Sequence, residues 1–399
     1  MNIKNLVLGQ IFSYARSQIK FYISRVMKIL KFLTLLLVIF ISCEELEDEF
    51  TEDAWQNSRG GPAYSIQQTT DGGYIIAASS SYSIDRTYDY EIVKLTSTGE
   101  LDWQKCLGGS SDDRAYSVQQ TTDDGYIIAG YSASSDGDVS DNHGVYDYWI
   151  VKLTSTGELD WQKSFGGMGY DYAYSIQQTT DGGYIVAGRS SSNDGDFSGN
   201  HGYGDYLIVK LTSTGEIDWY KLLGGSGIDW AYSIKQTTDG GYIIAGCSSS
   251  NNGDVSGHHS DTVYNIDYWI VKLTSAGEID WQKCLGGSES EYAYSVQQTT
   301  DTGYIIAGYS YSFDGDVSEN KGDLDYWIVK LTSTGEIDWQ KSLGGSESDE
   351  AYSIQQTTDG GYIIAGYSRS NAGDVSGNHG SFDYWIIKLT STGQLDWQK

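Results

Sequence analysis

Hydrophobic and polar positions alternate in short runs over most of this chain. Along Tyr148–Thr154, Trp149, Val151 and Leu153 fall on one side while Ile150, Lys152 and Thr154 fall on the other. That two-residue period is the mark of a strand. Ala115–Gln120 and Tyr126–Tyr131 are further runs of this kind, and in Leu159–Lys163 Leu159 and Trp161 share a side opposite Asp160 and Gln162. No window carries apolar residues three and four apart over a helical length, which excludes helix here. Tight turns separate the runs. Asp181-Gly182-Gly183 closes one hairpin and Ser155-Thr156-Gly157 another, because glycine accepts the positive φ such turns require. Four runs therefore predict an antiparallel meander.

The same text begins again at Ala63, Ala115, Ala173, Ala231, Ala293 and Ala351, at intervals of 52, 58, 58, 62 and 58 residues. One four-stranded sheet cannot bury both faces, so the six copies must stack on one another. Radial stacking protects the sheet edges without end caps, and the copies bring none. The fold class predicted is all-β, a β-propeller of six four-stranded antiparallel blades over residues 54–399. The alternative is part of a seven- or eight-bladed ring. Ala54-Trp55-Gln56 echoes Asp102-Trp103-Gln104 as an extra fourth strand, which could latch the ring, and Lys399 ends without the Leu-Gly-Gly-Ser of the other copies.

The hairpin from Val151 to Lys163, VKLTSTGELDWQK, resembles the third and fourth strands of the quinoprotein-type propeller repeat. The whole unit resembles the bacterial β-propeller-repeat family of secreted and surface lipoproteins, and recurs in register over about 85% of the chain. This resemblance implies a propeller and leaves activity open, since propellers serve enzymes, scaffolds and adhesins alike.

The residues before the repeats carry a different pattern. Lys28 and Lys31 precede the apolar run Phe32–Ile41, which ends in Ile41-Ser42-Cys43. Residues 1–43 read as a lipoprotein signal peptide whose expected start is Met27 and whose Cys43 becomes the lipidated first residue. The apolar run is shorter than the roughly 20 residues of a spanning helix. Residues 44–53 form an acidic tether. It resembles the signal that sends some Gram-negative lipoproteins to the outer face of the outer membrane, and equally a plain linker. The expected location is exported, lipid-anchored to the outer membrane and surface-facing. The chain carries 25 Lys and Arg against 54 Asp and Glu, a net charge of −29, which argues against nucleic acid or anionic membrane as partner. Cys106 and Cys284 fill equivalent positions three copies apart, too far to bridge one another. A monomer is expected.

Strand order puts the short turns on one face and the long variable loops on the other, where ligands are expected. Asp136, Asp138 and Asp147, then Asp194, Asp196 and Asp205, then Asp314, Asp316 and Asp325 stand at positions 1, 3 and 12 of a loop resembling a calcium site. Calcium is thus the candidate cofactor. Against it, position 12 is Asp rather than bidentate Glu, no helices flank the loops, and Asn252 and Ala372 replace position 1 in two copies. An ordinary Asp/Gly/Ser turn is the alternative. The five histidines, His143, His201, His258, His259 and His379, spread over these loops and read as exposed turn residues rather than a zinc site.

Just before the first strand, successive copies carry Arg114, Tyr172, Trp230, Tyr292 and Glu350, with Tyr170 close by. Tyr170, Tyr172, Trp230 and Tyr292 are the candidate ligand-binding residues, as rings that stack on sugar C–H faces; packing against the neighbouring blade is the alternative. The fourth-strand tryptophans, Trp103 to Trp397, read as structural wedges. No catalytic set is visible. Thr stands where the Asp box of sialidase-type propellers needs Asp, and no vicinal cysteine pair supports a quinoprotein enzyme. Copy-specific residues such as Arg86, Arg114, Arg189 and Arg369 are the one place a catalytic pair could hide. The expectation is a non-catalytic binding module for a protein or glycan partner, with a periplasm-facing assembly scaffold as alternative and a polysaccharide-acting enzyme behind both.

Overall fold

The alternating runs pair in chain order, and the computed structural model describes them over residues 60–81, 87–259 and 265–399. Six antiparallel sheets of four strands result, each a meander of first to second to third to fourth strand. They form the six blades of a β-propeller. In the second blade the strands are Asp113–Gln120, Tyr126–Ser132, Asp147–Leu153 and Leu159–Phe165. The first begins two residues earlier than its alternation predicts, because Asp113 continues the ladder opposite Ser132. The signal peptide with Cys43, the acidic tether, Trp55 and Arg86 lie outside the described residues.

First strands of successive blades lie against one another and line the axis. Their inner edges would expose unpaired amides, and the repeated Ser and Gln of this strand cover them. Ser117 Oγ accepts from the Ile176 N–H (3.2 Å), and Gln119 Oε1 accepts from the Gln178 N–H (2.6 Å). Polar residues in an otherwise apolar unit are thereby explained.

Each core is shared between two blades. Ile127, Ala129, Tyr148 and Ile150 of the second blade pack on Val186, Leu207 and Val209 of the third. The same interleaving joins blades one to two, three to four, four to five and five to six. The third-strand tyrosine welds each junction, since Tyr148 Oη donates to the Leu207 carbonyl at 2.9 Å, and Tyr90, Tyr206, Tyr268 and Tyr326 repeat the bond. A buried hydroxyl so satisfied carries no desolvation penalty. Five of the fourth-strand tryptophans are the predicted wedges, while Trp397 of the sixth blade is exposed: Trp103 meets Tyr126 edge-on at 5.5 Å and covers Gly157, whose φ of 81° admits no other residue without strain.

Candidate functional site: the axial mouth on the loop face

The two ends of a blade are built differently. At the turn end the same lock recurs in every copy. Lys94 is buried and reaches Asp71 Oδ2 at 2.8 Å, and its hydrogen bond, then that of Thr69, holds the Asp71 carboxyl down at about 2. Lys152 meets Asp123, Lys210 Asp181, Lys272 Asp239, Lys330 Asp301 and Lys388 Asp359 in the same way. The blades differ here at the turn tips, where Asp124 and Thr302 take the positive φ that Gly takes in the others and Ala276 replaces Thr.

At the loop end, carboxylates are sunk between blades. Asp147 starts the third strand of the second blade, Asp171 starts the first strand of the third, and both are fully buried. Gly166 lies between them. A Cβ there would sit 2.5 Å from Asp147 Oδ1 and 2.7 Å from Asp171 Oδ2, so only glycine fits. Burial raises Asp147 to about 6 and Asp325, its counterpart three junctions on, to about 7.

These contacts place the candidate calcium residues. Asp136, Asp194 and Asp314 accept from the N–H groups of Ser110, Met168 and Ser288 at 2.7–2.8 Å. Asp138, Asp196 and Asp316 accept from Gly108, Gly166 and Gly286 at 3.1–3.2 Å. Asp147, Asp205 and Asp325 are the buried junction acids. Positions 1 and 3 therefore tie each long loop to the loop entering the same blade, while position 12 faces the next. Among the described residues no three His, Cys, Asp or Glu side chains converge as a metal site.

His143, His201, His259 and His379 are exposed loop residues, as expected, and each is also tied to an aspartate. His143 offers its main-chain N–H and its ring Nδ1 to Asp147 Oδ2, at 2.7 and 3.0 Å. His201 does the same for Asp205 at 3.0 and 2.6 Å, and His259 for Asp267 at 2.9 and 2.7 Å. A basic ring beside a buried carboxylate supplies the countercharge that its burial demands. Lys321 takes this place in the fifth blade, pairing with Asp374 of the sixth. His379, paired with Asp383, is the most exposed of them, while the His258 side chain is buried.

Closer to the axis, every first strand carries a bulge. Ala173 pairs with Gly188 and Ser175 with Ala187, which leaves Tyr174 as the extra residue. The bulge re-aims that side chain, and Gly188 permits it, since a Cβ there would lie 1.8 Å from the Tyr172 carbonyl oxygen. The equivalent tyrosines form a file around the axis: Tyr64, Tyr116, Tyr174, Tyr232, Tyr294 and Tyr352, with neighbouring ring centroids 4.7–5.3 Å apart. Sequence alternation alone did not point to this file, because a bulge breaks the period.

Above the file, toward the loops, lies the position where the copies differ most. It is a cross-strand pair: Arg114 opposite Tyr131, Tyr172 opposite Arg189, Trp230 opposite Cys247, Tyr292 opposite Tyr309, Glu350 opposite Tyr367. The Arg189 guanidinium is held between two rings, 4.3 Å from Tyr172 and 4.2 Å from Trp230. Tyr170, Tyr172 and Tyr174 run inward as parallel rings, 6.4 and 6.1 Å apart and within 6° of coplanar orientation. Tyr170, at the outer end, is 47% exposed. Tyr131 and Tyr146 brace this stack from the second blade. Burial raises Tyr174 to about 12, with the Arg189 charge pulling the other way.

The structure thus brings Tyr170, Tyr172 and Trp230 together, with Arg189 as the joint. Tyr292 sits apart, against Tyr294 and Tyr309. Tyr172 and Trp230 pack across the blade boundary, while Tyr170 faces solvent. Arg114 stacks on Tyr88 and pairs with Asp112, and Glu350 accepts from Tyr352 (2.5 Å) and Tyr367. The partner of the variable position was legible in the second strands, which read Gly-Tyr-Ser, Gly-Arg-Ser or Gly-Cys-Ser. Its pairing was not.

These features define a β-propeller repeat protein with an aromatic axial mouth. No protein-family model matches the chain. It is similar to the regulatory protein FlaEY of Caulobacter vibrioides, 23% identical over 173 residues, which are 40% of this chain and 18% of that one. The chain therefore spans about a fifth of the length of that curated relative. Among solved structures it resembles BamB from Moraxella catarrhalis (14% identity, 84% of this chain and 90% of that one, TM-score 0.39). It also resembles YCF48 bound to D1 peptide (10% identity, 91% and 88%, TM-score 0.44). A puromycin hydrolase (10% identity, 86% and 46%, TM-score 0.47) and a polysaccharide lyase, Uly1 (9%, 90% and 98%, TM-score 0.40), are matched as well. That corrects the expectation of a chain that is not an enzyme: catalytic and non-catalytic proteins are matched alike, and the fold does not separate them.

Proposed function

We propose that this chain is a binding module, lipid-anchored through Cys43 to the outer membrane and facing outward, which takes a glycan at its axial mouth. The observation that carries this reading is the concentration of blade-to-blade differences in one cross-strand pair. Near-identical copies need no variation there for folding, because Tyr, Arg, Cys and Trp are all accommodated. A ring of equivalent positions filled with unlike groups is how one repeat array makes a single asymmetric site. The half-exposed Tyr170 supplies the platform and Tyr172 stiffens it, so little conformational entropy is lost on stacking.

A panel of oligosaccharides titrated calorimetrically against the mature chain tests the ligand. Tyr170→Ala is expected to weaken binding about tenfold, the loss of one aromatic stacking contact. An unchanged affinity overturns the assignment of the mouth. Cys43→Ser is expected to release the protein from membranes, and protease shaving of intact cells to remove the anchored chain; a chain protected until cells are opened would place it on the inner side.

A further inference from the structure

We infer that the mouth recognises an anionic sugar, with the Arg189 guanidinium as the group that takes the sugar's carboxylate. The inference rests on the glycan reading above and names the class of glycan.

Three observations carry it. First, acidic residues outnumber basic ones by 54 to 25, yet among the described residues no carboxylate lies within ion-pair distance of Arg189. In such a surface a lone cation is the exception. Arg114, at the neighbouring blade's mouth, has Asp112 at 3.1 Å. Second, the guanidinium does not float. Tyr172 and Trp230 grip it on both sides at 4.3 and 4.2 Å, with the Tyr172 and Tyr174 hydroxyls in hydrogen-bond reach. Among the described residues its buried Nε has no hydrogen-bond partner. A planar fork fixed in this way is organised in advance for a two-point contact with carboxylate. Third, a stacking platform stands beside it. Tyr170 lies parallel to Tyr172 with a centroid spacing of 6.4 Å and is open to solvent. A sugar ring laid on Tyr170 brings a ring substituent toward the guanidinium, whereas a phosphate or a bare peptide carboxylate has no use for that face. Of the other ring-held arginines, Arg114 lies over Tyr88 and is paired with Asp112, and Arg369, also without an ion pair among the described residues, lies over Phe382 of the sixth blade without such a stack.

The net charge of −29 does not oppose this. At physiological salt, charges beyond about 8 Å are screened, so the local cation decides.

The experiment compares a short oligogalacturonate with its methyl ester, two ligands alike except for the carboxylate charge, by calorimetry on the mature chain. The acid is expected to bind about ten- to hundredfold more tightly, the worth of a charge-assisted bidentate contact. Arg189→Gln should abolish that preference while leaving ester affinity within about twofold, and Arg189→Lys should retain part of it. Tyr170→Ala should weaken acid and ester equally. Unchanged thermal melting confirms that each variant folds. Equal binding of acid and ester to the native chain overturns the inference and leaves the glycan reading standing. Failure of both, together with Arg189-dependent binding of an acidic peptide, overturns both.

Discussion

The second and sixth blades contain the same heptapeptide, Tyr-Ile-Ile-Ala-Gly-Tyr-Ser, at Tyr126–Ser132 and Tyr362–Ser368. In the second blade all seven residues are buried; in the sixth, Ala365, Gly366 and Tyr367 are only partly so. The third strands part further. Tyr148 is 0% exposed and donates to the next blade, whereas its counterpart Tyr384 is 65% exposed. Trp149 and Trp385, which point toward the preceding blade, are both buried. Identical sequence thus forms identical strands, while burial follows from whichever blade lies on the forward side. The comparison teaches that junctions, not blades, are the units of stability here.

The largest effect expected from this difference is mutational. Tyr148→Ala empties a full junction and should cost about 3–5 kcal/mol in urea unfolding, as aromatic-to-Ala changes in cores do. Tyr384→Ala removes the same side chain from a largely solvated site and should cost under about 1 kcal/mol. Equal losses would mean that the sixth blade's forward face is covered in solution, and the comparison would fail.

Next comes acidity. Burial raises Asp147 to about 6, Glu291 to about 7 and Asp325 to about 7. A carboxyl whose folded pKa is raised stabilises fully below its unfolded value near 4, and that contribution is lost as pH rises through the folded value. His143 is raised too: its burial pulls it down, but the Asp147 hydrogen bond and the charges of Asp196, Asp147 and Asp141 together outweigh that, and it acts in the same direction. The melting temperature should therefore climb by roughly 5 °C from pH 7.5 to pH 5.5. Below pH 4 it should fall, as Asp71 and Asp181, both held at about 2, protonate and release their lysines. Asp325→Asn should flatten the slope between pH 5.5 and 7.5, and an unchanged slope would move the effect away from the junctions.

Amide exchange resolves the same difference locally. Strands Tyr362–Ser368 and Asp383–Leu389 should exchange before Tyr126–Ser132 and Asp147–Leu153, because one face of the sixth sheet makes fewer buried contacts. Uniform protection would contradict this. The smallest effect expected is that of chelator. The loop carboxylates of Asp136 and Asp138 are already engaged by main-chain amides, so EDTA should shift the melting temperature by under about 2 °C. A larger fall would show that these loops hold calcium.

Much of the site was legible before any coordinates. Tyr172 and Trp230 stood out because the first strands agree almost everywhere else. The long loops were placed on the correct face by strand order alone. The clamp around Arg189 was not legible, because its two rings come from its own blade and the next, and only stacking brings them together. The pairing of the histidines with aspartates was not legible for a related reason. Nothing local reveals that Asp147, four residues after His143, is sunk between sheets and needs a countercharge.

The chain by itself determined where strands begin, how tightly they turn and how many blades there are, since side-chain alternation and glycine turns act over a few residues. Only the tertiary structure decided which tyrosines face the axis, which carboxyls lose water and which arginine is clamped between two rings. Those properties belong to surfaces shared by two blades, and contact across such a surface depends on geometry that no single repeat contains.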